Sequence, residues 1–126
     1  AHRFHSAARH AVSEEIAPLV ENINASPEPL HADFTSEVRA LVRCGLPAAR
    51  AILPLLMSPD ELTRLRAQRV LEGVSRSAVA DTWGGDWALL WHDNGDYHWR
   101  AEAGKRQSAV NRWLAWLDQA AAAAPD

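Results

Sequence analysis

Apolar residues recur at helical spacing along most of this chain. Ile16, Leu19, Val20 and Ile23 fall at i, i+3, i+4 and i+7, the stripe of an amphipathic helix. Ser13 reads as its N-cap, with Glu14 and Glu15 in the first turn, where acids favour the positive end of the helix dipole. Residues 24–33 carry two prolines and read as a loop. Asp33 or Thr35 caps the next helix, whose stripe is Val38, Leu41 and Val42 and whose terminator is Gly45. Pro47 opens the following helix at its first position, where the missing N–H is harmless. Ile52, Leu53, Leu55, Leu56 and Met57 make that helix nearly all apolar, and Pro54 is expected to kink it. Ser58-Pro59-Asp60-Glu61 then predicts a new start, with Ser58 as N-cap and Glu61 completing a capping box. This helix is expected to reach about Ser77, with Ala67, Val70, Leu71 and Val74 on one face.

The stretch from Trp83 to Trp99 admits two readings. Asn94-Gly95 fits the turn of a hairpin linking Leu89–His92 to Tyr97–Arg100. It equally fits the end of a short helix, because Trp83, Trp87, Leu90 and Trp91 lie at i, i+4, i+7 and i+8. The helical period fits the apolar set better than strict alternation does, although Gly84-Gly85 weakens the helix start. A last helix spans Ala103 to about Ala123, with Ala109, Val110, Trp113, Trp116 and Leu117 on one side.

Two of these segments echo each other. Ile16-Ala17-Pro18-Leu19-Val20 and Ile52-Leu53-Pro54-Leu55-Leu56 are each followed by Ser-Pro and an acid, at Ser26-Pro27-Glu28 and Ser58-Pro59-Asp60. An apolar helix that recurs with its terminator points to stacked helical repeats. At 126 residues the chain makes a single domain. Its net charge of -3 argues against a nucleic-acid surface, which needs a basic footprint. The charges are segregated, however: acids alone from Glu14 to Glu37, mostly arginines from Arg39 to Arg76, acids again from Asp81 to Glu102.

Lys105 is the only lysine, and with the abundant alanine this composition suggests a bacterial gene of high GC content. A single cysteine, Cys44, excludes an internal disulfide and a multi-cysteine metal site. No apolar run nears the roughly 20 residues of a membrane span, and no signal peptide is expected from these residues. A soluble protein is expected, with its compartment left open between cytoplasm and export.

The block from Gly45 to Val74 resembles a HEAT-like repeat of the type also found in phycobilin lyases. Its elements are an apolar first helix containing proline, a short acidic turn, and a second helix with Arg64, Ala67 and Leu71 at the motif's spacing. Residues 13–45 are similar to a divergent earlier repeat, without that arginine spacing in the second helix. Residues 46–77 carry the best match, and residues 78–126 form a tryptophan-rich C-terminal cap. That tail, with Trp91, Asn94-Gly95, Tyr97, Arg106, Trp113 and Trp116, is similar to one seen in some bacterial HEAT-like proteins. The resemblance implies an all-α fold, a short right-handed α-α superhelix of antiparallel helix pairs. It also implies a structural role for Arg64.

Candidate chemistry is sparse. On a helical wheel Arg66, Arg69 and Arg76 fall opposite the apolar face, and second helices of such stacks usually line the concave side. A row of arginines there suits carboxylates or phosphates; the plainer alternative is a solvated face or pairing with the acidic N-terminal third. Of the six tryptophans, Trp99 is the best candidate for exposure, while Trp113 and Trp116 share an apolar helix face and read as core. His2, His5 and His10, or His92, Asp93, Asp96 and His98, lack the spacing of a metal site. Cys44 sits at a helix end whose dipole opposes thiolate formation, so it reads as a structural thiol. No nucleophile elbow, phosphate loop or dinucleotide fingerprint occurs.

The expectation is therefore a non-enzymatic interaction or scaffold module for a protein partner, without cofactor or metal, with Arg66, Arg69, Arg76 and Trp99 as its candidate patch. Two alternatives remain open: a tetrapyrrole (bilin) lyase or chaperone, by the same resemblance, and a carbohydrate- or peptide-binding surface of exposed tryptophans.

Overall fold

The computed structural model describes residues 15–79 and 86–123. The expected cap at Ser13, the histidines at 2, 5 and 10, and Trp83 with Gly84-Gly85 lie outside the described residues. Within them the chain is all-α, with six helices and no strand. Residues 15–21 form α1, and its stripe turns inward: Ile16 and Ile23 are buried, Leu19 and Val20 half-buried. The loop that follows is closed at its base by an isolated bridge between Pro27 and Thr35. Thr35 does two further jobs. Its Oγ1 accepts from the Val38 N–H at 2.9 Å, capping α2 (Ser36–Cys44), and its hydroxyl donates to the Ile23 carbonyl at 2.8 Å.

Gly45, at φ 77°, ends α2 and immediately precedes α3 (Leu46–Ile52). Few residues other than glycine hold that backbone cheaply. Pro54 does interrupt the apolar helix, as a change of winding: residues Leu53–Met57 continue as a 3-10 turn. Proline has no N–H to offer an α-helical bond, so the tighter turn replaces it. The start of α4 (Glu61–Ala78) differs from expectation. Asp60 is the N-cap, its Oδ2 accepting from Thr63 N at 2.9 Å and from the Thr63 hydroxyl at 2.6 Å. Ser58 instead accepts from Asp60 N at 3.1 Å, one step upstream. A charged acceptor with two donors outcompetes a lone hydroxyl.

Helix α4 is the centre of the molecule: α2, α3 and the 3-10 turn all pack on it. Ala67, Val70, Leu71 and Val74 form its buried face, as the periodicity requires. The loop before α2 bonds to Arg66 and Arg69 in the first half of α4, while Val42, late in α2, touches Gly73, late in α4. Helices α2 and α4 therefore run in the same sense.

Residues Asp86–Asp93 form α5, so the helical reading of this stretch holds over the hairpin. Its end explains the Asn94-Gly95 pair. Gly95 N donates to His92 O and Asp96 N to Trp91 O, both at 3.0 Å, with Gly95 at φ 99°. That is a Schellman termination, which glycine favours at this position. Helix α6 (Ala103–Ala123) lies on the 3-10 turn and α3, burying Ala109, Val110, Trp113 and Leu117. Tyr97 fastens the α5–α6 connection to the core by donating its hydroxyl to Leu56 O at 2.6 Å, and burial pushes its pKa up to about 12.

Candidate functional site

The four residues expected to form a patch do not converge. Arg66 is the clearest correction: it is not on an open face but only 4% exposed. Its Nε and Nη2 donate to Ala32 O at 3.0 and 2.8 Å, and its Nη1 to Asn24 Oδ1 at 2.7 Å. The loop of residues 24–33 folds over this part of α4 and uses the guanidinium as a clamp. Arg64 is equally structural, bridging Ser58 O at 2.7 Å and Trp99 O at 2.8 Å. Trp99 sits beside Arg64 and Gln68, and among the described residues no contact joins it to Arg69 or Arg76. Its backbone N–H donates to Gln68 Oε1 at 3.0 Å, and its half-buried ring contacts both His98 and the Arg100 guanidinium.

Arg69 and Arg76 remain together. They line a groove of about 340 Å³ between α2 and α4, with Phe34, Arg39, Val42, Arg43, Glu72 and Gly73. The floor is set by Gly73. A Cβ added there would meet the Val42 methyls at 2.8 and 2.9 Å, so glycine is what lets the two helices approach. Val42 is β-branched and cannot swing aside freely. Gly73→Ala is expected to destabilise the fold by about 1–3 kcal/mol through this overlap, as read by urea denaturation; an unchanged midpoint would show that α2 yields without cost.

The groove's charges divide into two kinds. Arg39 pairs with Glu28 and stacks over Phe34, 4.4 Å from the ring centre. Arg69 donates to Asp33 at 2.6 Å and to Glu72 at 2.8 Å. Burial, the largest single influence, would raise the Asp33 carboxyl, but the hydrogen bond and the charge of Arg69, with a backbone hydrogen bond, together hold its pKa below the ordinary value. Arg43 and Arg76 differ: among the described residues neither has a carboxylate partner. Arg43 lies exposed in the last turn of α2. Arg76, in the last turn of α4, lies 4.1 Å from the Trp87 ring centre. Both are placed where the helix dipole tolerates a cation. The i, i+4 spacing of Arg39 and Arg43 was the available sequence signal for the α2 side of this groove. What the sequence did not show is that α2 lies beside α4.

The remaining candidates stay apart from the groove. Trp87, Trp91, Trp113 and Trp116 form a chain of ring contacts tilted by 36°, 57° and 78°, which offers no coplanar pair for a sugar. Cys44 is partly buried; burial, then Glu15, raises its thiol pKa. His92 and Asp96 pair at 2.7 Å on the surface. Among the described residues no group of three or more His, Cys, Asp or Glu side chains could hold a metal ion, and no helix is long and apolar enough to cross a membrane. No family model, curated protein or solved structure matches the chain.

Proposed function

We propose that this chain is a non-enzymatic protein-interaction module, a short HEAT-like stack whose binding face is the α2–α4 groove. Helices α1 and α2 would make the first pair, α3 with its 3-10 turn and α4 the second, and α5 with α6 the cap. The parallel course of α2 and α4 supports this, since equivalent helices of successive repeats run alike. One observation carries the functional reading. Two guanidiniums, Arg43 and Arg76, face one groove without a carboxylate partner among the described residues, beside apolar walls from Phe34 and Val42. Such a site suits an anionic side chain of a partner, with arginine supplying forked donors. The bilin and carbohydrate readings have no comparable constellation.

Titration with a glutamate-rich peptide tests this. The native chain is expected to bind with an affinity that falls as salt rises. Arg43→Glu with Arg76→Glu is expected to weaken binding at least about tenfold, because two attractions become repulsions. Both side chains are exposed, so the unfolding midpoint should move little. Equal binding by both proteins, or none by the native chain, would remove the groove as the binding face.

A further inference from the structure

Taking the groove as the binding face, and resting on that reading, we propose that its ligand is a phosphorylated serine or threonine side chain of a partner polypeptide. The distribution of carboxylates points there. Arg39 has Glu28, and Arg69 has both Asp33 and Glu72, so carboxylate-sized sites in the groove are already filled from within the chain. Glu72 is further occupied by Gln68 Nε2 at 3.0 Å and is turned to those partners. Among the described residues Arg43 and Arg76 are left without a carboxylate, one from each wall of the groove. A carboxylate carries one charge and matches one guanidinium fork. A phosphoryl group carries about -1.5 to -2 charges and three acceptor oxygens at neutral pH, enough for both guanidiniums at once.

The rest of the groove limits what can carry that group. Its volume of about 340 Å³, with Phe34, Val42 and Gly73 between the arginines, accommodates one side chain and its flanking backbone. The chain's net charge of -3 and the acidic stretches on either side of the arginine-rich segment oppose a polyanion running beyond the groove. A phosphopeptide therefore fits better than a nucleic acid. Arg76 would exchange its stacking on Trp87 for the phosphoryl oxygens, so the Trp87 indole N–H, which donates to Ser75 Oγ at 2.8 Å, becomes a reporter.

The experiment uses one peptide in three forms, with phosphoserine, glutamate or serine at a single position, together with inorganic phosphate and a single-stranded oligonucleotide. Calorimetry gives affinities, and indole resonances of the ¹⁵N-labelled chain give the location. The phosphoserine form is expected to bind at least about tenfold more tightly than the glutamate form and to shift the Trp87 indole. Arg43→Gln and Arg76→Gln should each reduce that affinity about tenfold, and Arg100→Gln, outside the groove, should not. Lowering the pH from about 7.5 to 5 should weaken binding as the phosphate takes up its second proton near pH 6. No histidine lines the groove.

Equal affinity for the glutamate and phosphoserine forms would overturn this proposal while leaving the acidic-partner reading intact. No binding by either form would overturn both. Tighter binding of the oligonucleotide than of the phosphopeptide, affinity for inorganic phosphate equal to that for the phosphopeptide, or binding indifferent to Arg43→Gln and Arg76→Gln would each overturn the phosphopeptide assignment.

Discussion

Arg66→Met will lower the stability of the fold by about 2–4 kcal/mol, whereas Arg76→Met will change it by less than about 1 kcal/mol. Two arginines ten residues apart on one helix differ this much because of what covers them. Arg66 makes three hydrogen bonds from a charged donor, to Ala32 O and Asn24 Oδ1, and is 4% exposed. Bonds to charged groups each contribute about 1.5–3 kcal/mol, and part of that is regained when water reaches the freed carbonyl. Methionine preserves the apolar stem, so the loss reports the clamp rather than packing. Among the described residues Arg76 makes only a cation–π contact near the surface, worth about 0.5–1 kcal/mol. Urea denaturation of both variants checks the contrast, and equal midpoints would mean that the loop of residues 24–33 does not need Arg66. One practical consequence follows for binding experiments. A charge reversal that includes Arg66 would lose its fold along with its partner, so Arg43 and Arg76 are the positions to reverse.

The same comparison shows what the sequence could and could not reveal. Periodicity located the helices, because apolar spacing is imposed by the helix itself: Val38 and Leu41, Ala67 through Val74, and Ala109 through Leu117 are buried where the stripe places them. Local chemistry located the ends that depend on neighbours, such as Gly45 after α2 and Asn94-Gly95 after α5. The wheel grouped Arg66 with Arg69 and Arg76 and was silent about what covers each of them. The cover of Arg66 is the loop before α2, more than thirty residues away, and a single helix's pattern holds no record of it. The groove was hidden for the same reason. Arg39, Arg43 and Gly73 acquire a joint meaning only once α2 lies along α4, and that pairing is a tertiary fact. The choice of Asp60 over Ser58 as the cap of α4 lies at the other extreme: two acceptors compete locally, and the charged one with two donors from Thr63 prevails.

Trp113→Ala is expected to cost about 3–5 kcal/mol, the largest loss of any single truncation in the C-terminal third. Trp113 is fully buried, with the Trp91 ring centre at 5.4 Å and the Trp116 ring centre at 5.5 Å. It joins α5, which buries no residue completely, to α6, so its removal opens a cavity between the two helices. Its indole Nε1 is buried without a hydrogen-bond partner among the described residues, and so the ring contributes there through apolar contact. Trp113→Phe should accordingly lose much less than the alanine variant, since phenylalanine keeps most of the contact area and removes an unpaired donor. Thermal unfolding of the two variants separates these contributions. If the phenylalanine variant lost as much as the alanine variant, the indole N–H would have to be making a bond that the packing around Trp113 does not show. Helix α6 rests on α3 and the 3-10 turn rather than on α2, so the folded fraction of either variant should bind anionic peptides as the native chain does. Loss of that binding in a folded variant would mean that the groove depends on the cap, and that α5, through Trp87 and Arg76, is the element that transmits the change.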